Sequence, residues 1–220
     1  MVLFSQKGTI ISRCSQCQCI IDVSIRSWRF CRIRGFIMRK AMIFIDGRNF
    51  EHAVNGLYQG VTLIDYVKLT NFVATKTCHE VIRTHYYTAQ GDKVREPVKY
   101  RQTQFFADAL NSKDDFVAKL GRLEYIDVNS AGKPIYAEKQ TDINIATDML
   151  SLAYNNAYDT AVLLSADTDY IPVIRLIRQL GKRIVICTVE AQKSGMIKAE
   201  SDSNFVLLKT ELDTLKVVRN

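Results

Sequence analysis

The chain has 220 residues, 47% of them hydrophobic, which suits one α/β domain plus an extension and a core that needs neither disulfides nor a structural metal. Its formal charge of +7 sits almost wholly in residues 1–40, where eight basic side chains face Asp22 alone; the other 180 residues hold 22 basic and 22 acidic side chains. Bulk charge therefore excludes no partner and selects none for the main domain, and any basic patch there must be local.

Residues 1–37 show no sustained helical or strand periodicity. They carry Cys14, Cys17, Cys19 and Cys31, whereas the rest of the chain has only Cys78 and Cys187. A secreted disulfide framework is not expected. Cys14 and Cys17 have the spacing of half a zinc site, but no second close pair follows and Cys31 stands alone, so zinc is not expected. Patterned sequence begins at Met38, so two segments are expected: a basic, Cys-containing extension over 1–37 and a domain over 38–220. Met38 reads as the natural start, with the extension an upstream-start artefact or a disordered tail. The intact mass of protein from its native source decides this, since a mass that includes 1–37 rules out the artefact. Arg39 and Lys40 interrupt the best apolar run near Phe36 to Ile45, well short of the roughly 20 residues that cross a bilayer. No signal-peptide order is visible. A soluble, cytoplasmic protein with no membrane partner is the expectation.

Ala41 to Ile45 is a continuous apolar run ending at Asp46-Gly47, which predicts a buried strand and a turn, with a helix over Arg48 to Tyr58. A second helix is expected over Ile64 to Thr75, with Ile64, Val67, Lys68 and Asn71 on one face and Leu63, Phe72 and Val73 widening it. Val81 to Thr88 reads as the second strand. Pro97 to Leu110 reads as a helix with Phe105, Phe106, Ala109 and Leu110 inward. Short strands are expected between Phe116 and Lys139, separated by Gly121 and by the turn Ala131-Gly132-Lys133-Pro134. Asp142 to Tyr154 repeats Ile143, Ala146, Met149, Leu150 and Ala153 at helical spacing. Ala161 to Leu164 is another buried strand, Tyr170 to Leu180 a helix ended by Gly181, and Arg183 to Cys187 and Phe205 to Leu208 the last strands. Apolar strands alternating with helices predict an α/β fold with a mostly parallel central sheet and helices on both faces.

In such a sheet ligands sit beyond the carboxyl ends of the strands. Asp46 follows one apolar strand, Asp167 and Asp169 follow another, and Asp142 opens a helix. Each has an ordinary reading: Asp46-Gly47 as a turn, Asp142 as a helix cap, Asp169 as a cap with Pro172 in the first turn. Acids ending both of the most apolar strands are better explained by one pocket. Clustered carboxylates need a cation or raised pKa values. With no His or Cys among them, magnesium or manganese is the expected cofactor. The cation would activate water against a phosphodiester. Asp46, Asp142 and Asp167 are the expected ligands, and Asp169 a further ligand or the group that orients the water. Asn49 is a supporting polar group, Asp148 lies some 120° round the helix from Asp142 and is a supporting or solvent-facing group, and Ser165 belongs to the same turn. His52, His79 and His85 read as structural or surface residues.

The segments Ile45-Asp46-Gly47-Arg48-Asn49, Lys139-Gln140-Thr141-Asp142 leading to Thr147-Asp148-Met149, and Ser165-Ala166-Asp167-Thr168-Asp169-Tyr170 resemble the NYN domains of the PIN-like nuclease superfamily, over about Ala41 to Leu208. The LabA-like branch fits best, helped by Tyr86-Tyr87 and Ser201-Asp202. The resemblance implies a Rossmann-like PIN-type domain and metal-dependent RNA cleavage, with Asp46, Asp142, Asp167 and Asp169 at the family's acidic positions and Asn49 at its asparagine. Ala166 and Gln140 stand where glycine is usual. RNA is the expected partner, held by Arg48 and Lys139 beside the acids. Lys193, Tyr87 and Tyr170 read as ordinary surface or core residues. Homo-oligomerisation stays open. Two other readings remain: an inactive RNA- or protein-binding module, and a haloacid-dehalogenase-like phosphatase using Asp167-Thr168-Asp169, although that family places its acidic pair on the opening strand.

Overall fold

A computed structural model describes residues 3–4, 10–13, 20–23, 38–128 and 134–217. The chain divides into two compact units, Met1–Met38 and Arg39–Asn220. In the first, β1 (Leu3–Phe4), β2 (Ile10–Arg13) and β3 (Ile20–Val23) pair antiparallel in that order. These strands are too short to leave a periodic signal in the sequence. Cys14, Cys17, Cys19 and Cys31 lie outside the described residues, as does most of the expected turn at Ala131 to Pro134.

The second unit is built on β4 (Lys40–Asp46), β5 (Glu80–Gln90), β6 (Phe116–Val128), β7 (Pro134–Lys139), β8 (Thr160–Leu164), β9 (Arg183–Val189) and β10 (Ser203–Leu207). Their order is β10-β9-β8-β4-β5-β6-β7, parallel throughout except for the β6–β7 hairpin. This is the expected mostly parallel α/β sheet, consistent with the PIN-type fold that the sequence resemblance implies. Alternation along each central strand feeds two cores: Ile43, Ile45, Val162 and Leu164 face one side, Phe44, Ala161, Leu163 and Ile186 the other. Both faces are covered, so the strands read as unbroken apolar runs.

Among the described residues six α-helices connect the strands, α1 (Gly47–Tyr58), α2 (Tyr66–Thr77), α3 (Pro97–Asn111), α4 (Thr141–Tyr154), α5 (Ile171–Gln179) and α6 (Gly195–Ala199), and α7 (Lys209–Thr214) follows the last strand. Their inward faces correct three expectations. Asp65 caps α2 through the Val67 and Lys68 N–H groups, so the helix starts at Tyr66, and Tyr66, Leu69 and Val73 turn inward while Val67, Lys68 and Asn71 face out. Ile64 lies before the helix, in a bridge to Lys216. On α3 the core takes Ala107, Leu110 and part of Phe106; Phe105 is 77% exposed and Ala109 is exposed too. On α4 the buried stripe is Ile145, Met149 and Ala153, and Ile143 is 70% exposed. In each case a run of adjacent apolar residues offered two helical stripes, and the packing angle chose between them. Gly121 does not separate strands: it pairs with Ala89 inside β6.

Among the described residues no helix is long and apolar enough to cross a membrane.

Candidate functional site

The carboxyl ends of β4 and β8 lie side by side, with Ile45 opposite Leu164. The residue after each register pair is polar. Asp46 is 4% exposed and caps α1, its Oδ1 accepting the Asn49 N–H at 3.1 Å. The helix can start this close because residue 47 is glycine: a Cβ there would lie 2.5 Å from the Tyr86 hydroxyl and 2.6 Å from the Tyr87 carbonyl oxygen. Asp46-Gly47 is therefore the capped start of α1 and not the separate turn the sequence suggests, and capping occupies only one oxygen of the Asp46 carboxylate. Its second oxygen, Oδ2, accepts from the Ser165 hydroxyl at 3.1 Å and lies 3.1 Å from the Tyr170 hydroxyl.

Tyr170 is the functional residue that sequence reasoning passes over. It is almost fully buried, and its hydroxyl also lies 2.9 Å from Asp142 Oδ1, so one phenol joins two of the four acids. Asp142 itself is exposed, in the first turn of α4, whose cap is Gln140 and not Asp142. Gln140 has φ 76, the left-handed backbone that glycine adopts without strain, so its departure from the family pattern is absorbed as local strain. Ala166 keeps an ordinary backbone.

Asp167 caps, and Asp169 lies within, the short 3₁₀ turn Thr168–Tyr170 that leads into α5. Asp167 N–H donates to Ser165 Oγ at 3.1 Å, and Asp167 Oδ1 accepts the Asp169 N–H at 3.0 Å. Ser165 therefore connects Asp46 to Asp167. Asp169 is exposed and does not cap α5. All four acids are at one edge, yet among the described residues no three His, Cys, Asp or Glu side chains stand together closely enough to hold a cation as placed.

Electrostatics single out Asp46. Its carboxyl pKa is raised from 3.8 to about 6, mainly by burial and further by the Asp142 charge; the Asn49 N–H and the Tyr170 and Ser165 hydroxyls oppose the shift without cancelling it. The Tyr170 phenol is pushed up, by burial first and then by Asp46 and Asp142, and stays a neutral donor. A buried carboxylate with uncompensated charge, facing a second carboxylate, is an all-oxygen arrangement suited to a hard cation.

The supporting residues divide. Asn49 spends its oxygen on the Ala166 N–H (3.1 Å) and on Gln192 Nε2 (2.9 Å), while Gln192 Oε1 accepts the Val189 N–H at 2.7 Å. It braces the loops after β8 and β9. Asp148 is neither free nor at the acids: it accepts from the Tyr87 hydroxyl at 2.7 Å and pairs with Lys119. Tyr87 is fully buried and cannot stack on a base. Arg48 and Lys139 are exposed, Lys139 at the end of β7 opposite Arg122. The histidines are structural or superficial: His52 is exposed, and buried His85 stacks on Phe44, its pKa lowered to about 4 by burial.

A family model described as the NYN domain matches residues 40–209. The Low amplitude and bright protein LabA of Synechococcus elongatus is 28% identical over 160 residues, 72% of this chain and 76% of that protein. An uncharacterized protein of Methanocaldococcus jannaschii is 27% identical over 75 residues, 34% of this chain; the match spans 31% of that relative's length. A crystal structure of a Vibrio parahaemolyticus protein of unknown function superposes with a TM-score of 0.57 at 19% identity, covering 82% of this chain and 97% of that one, which is a likeness of fold.

Proposed function

Because this chain belongs to the NYN domain family and is LabA-like, we propose that it is a metal-dependent ribonuclease that hydrolyses RNA phosphodiester bonds at the edge formed by β4 and β8. The observation that carries this reading is the pair of carboxylates, Asp46 and Asp142, held against one buried hydroxyl. Neither helix capping nor core packing calls for such a pair.

Asp46, Asp142 and Asp167 would hold magnesium or manganese, with Asp169 as a further ligand or the group that orients water. The bound ion supplies an activated water and neutralises charge developing on the phosphoryl oxygens. Tyr170 and Ser165 fix the Asp46 carboxylate in one orientation, and Ser165 passes that constraint to the Asp167 turn. Asn49 and Gln192 keep the loops from drifting. Arg48 and Lys139 would hold the RNA backbone beside the acids.

The test is cleavage of a labelled RNA with magnesium or manganese, against a chelator and against Asp46→Asn and Asp167→Asn. The wild-type chain should cleave with either cation, and each variant should lose at least about a hundredfold in rate, several kcal/mol of transition-state stabilisation being typical of such sites. Cleavage that persists in chelator, or in both folded variants, overturns the reading. The absence of a ready three-acid cluster as placed among the described residues favours a second reading, a binding module without turnover. Calorimetric manganese binding and RNA affinity with no cleavage would identify it.

A further inference from the structure

Residues 170–189 contain Arg175, Arg178, Lys182 and Arg183 and no acid, although residues 41–220 as a whole carry equal numbers of basic and acidic side chains. The fold gathers these four. Arg175 and Arg178 lie on α5, Lys182 in the turn after it, and Arg183 opens β9. With Gln179, Gly181 and Asp202 they line an open groove of about 570 Å³ at the amino edge of the sheet. β9 runs seven residues from that edge to the carboxyl edge, so groove and acids stand roughly 20 Å apart at about 3.3 Å per residue.

Two of the cations are fixed. Arg175 grips Glu200 through Nη2 at 2.6 Å and Nε at 3.2 Å; Arg178 donates to the Glu200 carbonyl at 3.2 Å and lies 3.4 Å from Asp202. The Lys182 and Arg183 side chains have no hydrogen bond or ion pair among the described residues. The carbonyl end of α5 favours a cation in its last turn, which accounts for Arg178. It does not account for Arg183, which lies beyond the helix; the pKa of nearby His79 is lowered first by burial and then by Arg39 and Arg183, with Asp159 opposing them. Cations are concentrated here beyond what the helix needs. The groove lining has no apolar or aromatic side chain, so it offers no pocket to an apolar peptide side chain and no ring for a base to stack on, whereas its cations match anionic oxygens, phosphate among them.

We propose that this groove binds the phosphate backbone of RNA, independently of sequence, as an anchor remote from the acidic edge. The choice of RNA as the polyanion rests on the ribonuclease reading above.

Anisotropy of a labelled oligouridylate long enough to span both edges tests it, on the full chain in chelator so that cleavage is silent. K182E/R183E should weaken binding at least about tenfold at low salt and flatten the dependence of log K on log salt by roughly 1.4, at about 0.7 for each phosphate no longer neutralised. K182Q/R183Q should fall between, and decides the matter if charge reversal impairs folding. Manganese binding at the acids should be unchanged. The basic extension is common to all variants and cancels. Unchanged RNA affinity in the folded variants overturns the proposal, as does loss of polyglutamate binding with RNA affinity intact. A wild-type chain that holds RNA without cleaving it defeats the ribonuclease reading and leaves the groove standing.

Discussion

At the carboxyl edge of the sheet α1 and α4 begin, and Asp46 and Asp142 sit just before or within their first turns; at the amino edge α5 ends, and Arg178, Lys182 and Arg183 follow one another. Helix dipoles favour this sorting, since parallel strands joined by helices bring helix amino ends to one edge and carbonyl ends to the other. The dipole explains the sign of the charge at each edge. It does not explain degree. Asp46 is buried beyond any capping need and linked through Tyr170 to a second acid; the amino edge is open, and Lys182 and Arg183 make no side-chain bonds among the described residues. A buried, bonded carboxylate at one edge and an open groove with two unbonded cations at the other suit different partners: a small desolvated cation and a large solvated anion.

The contrast can be broken experimentally. The largest expected effect on stability is electrostatic. Since the folded pKa of Asp46 is raised from 3.8 to about 6, the folded chain keeps a proton that the unfolded chain has released. Its contribution to stability is full below pH 3.8 and is lost as pH rises through about 6. Urea unfolding of the metal-free protein should show a loss on the order of 3 kcal/mol from this group over that window. Asp46→Asn should flatten the slope, and a slope unchanged in that variant would show that Asp46 is not the group responsible.

Next in size is Tyr170→Phe, which removes the shared hydroxyl and keeps the ring. Manganese affinity measured by calorimetry should fall about 10- to 100-fold, as is usual when a hydrogen-bond partner of a ligating carboxylate is lost. Near-wild-type affinity would mean that the carboxylates hold their positions without it. Packing offers a third comparison. Gly47→Ala drives a Cβ against the Tyr87 backbone at the crowded edge and should cost about 1–3 kcal/mol by urea unfolding. Gly181→Ala meets open space and only its left-handed φ of 76, for about 1 kcal/mol. The smallest effect expected is a gain: Gln140→Gly relieves a left-handed glutamine and should raise stability by about 0.5–1 kcal/mol after the added chain entropy is counted.

Much of this is legible in the chain. The apolar runs at Ala41 to Ile45, Ala161 to Leu164 and Arg183 to Cys187 are buried strands because both their faces are covered, and such runs have few other readings. Gly181 marks the end of α5 for a local reason, its left-handed backbone. Helix faces are less legible: Ile143 and Ile145 are equally apolar, and only the placement of α4 buries the second. Asn49 reads as a site residue from its motif, yet its oxygen is committed to two loops.

The fold class and the central buried strands follow from the chain's local polarity, as does the position of Asp46 and Asp167 just beyond two of those strands. How the acids relate comes from packing: Asp46 is buried, Tyr170 joins it to Asp142 over separations of 124 and 28 positions, and four cations from one helix, a turn and a strand line a single groove. Hydrogen bonds between distant residues and the desolvation that shifts a pKa depend on what packs overhead, and no local pattern in the chain encodes that.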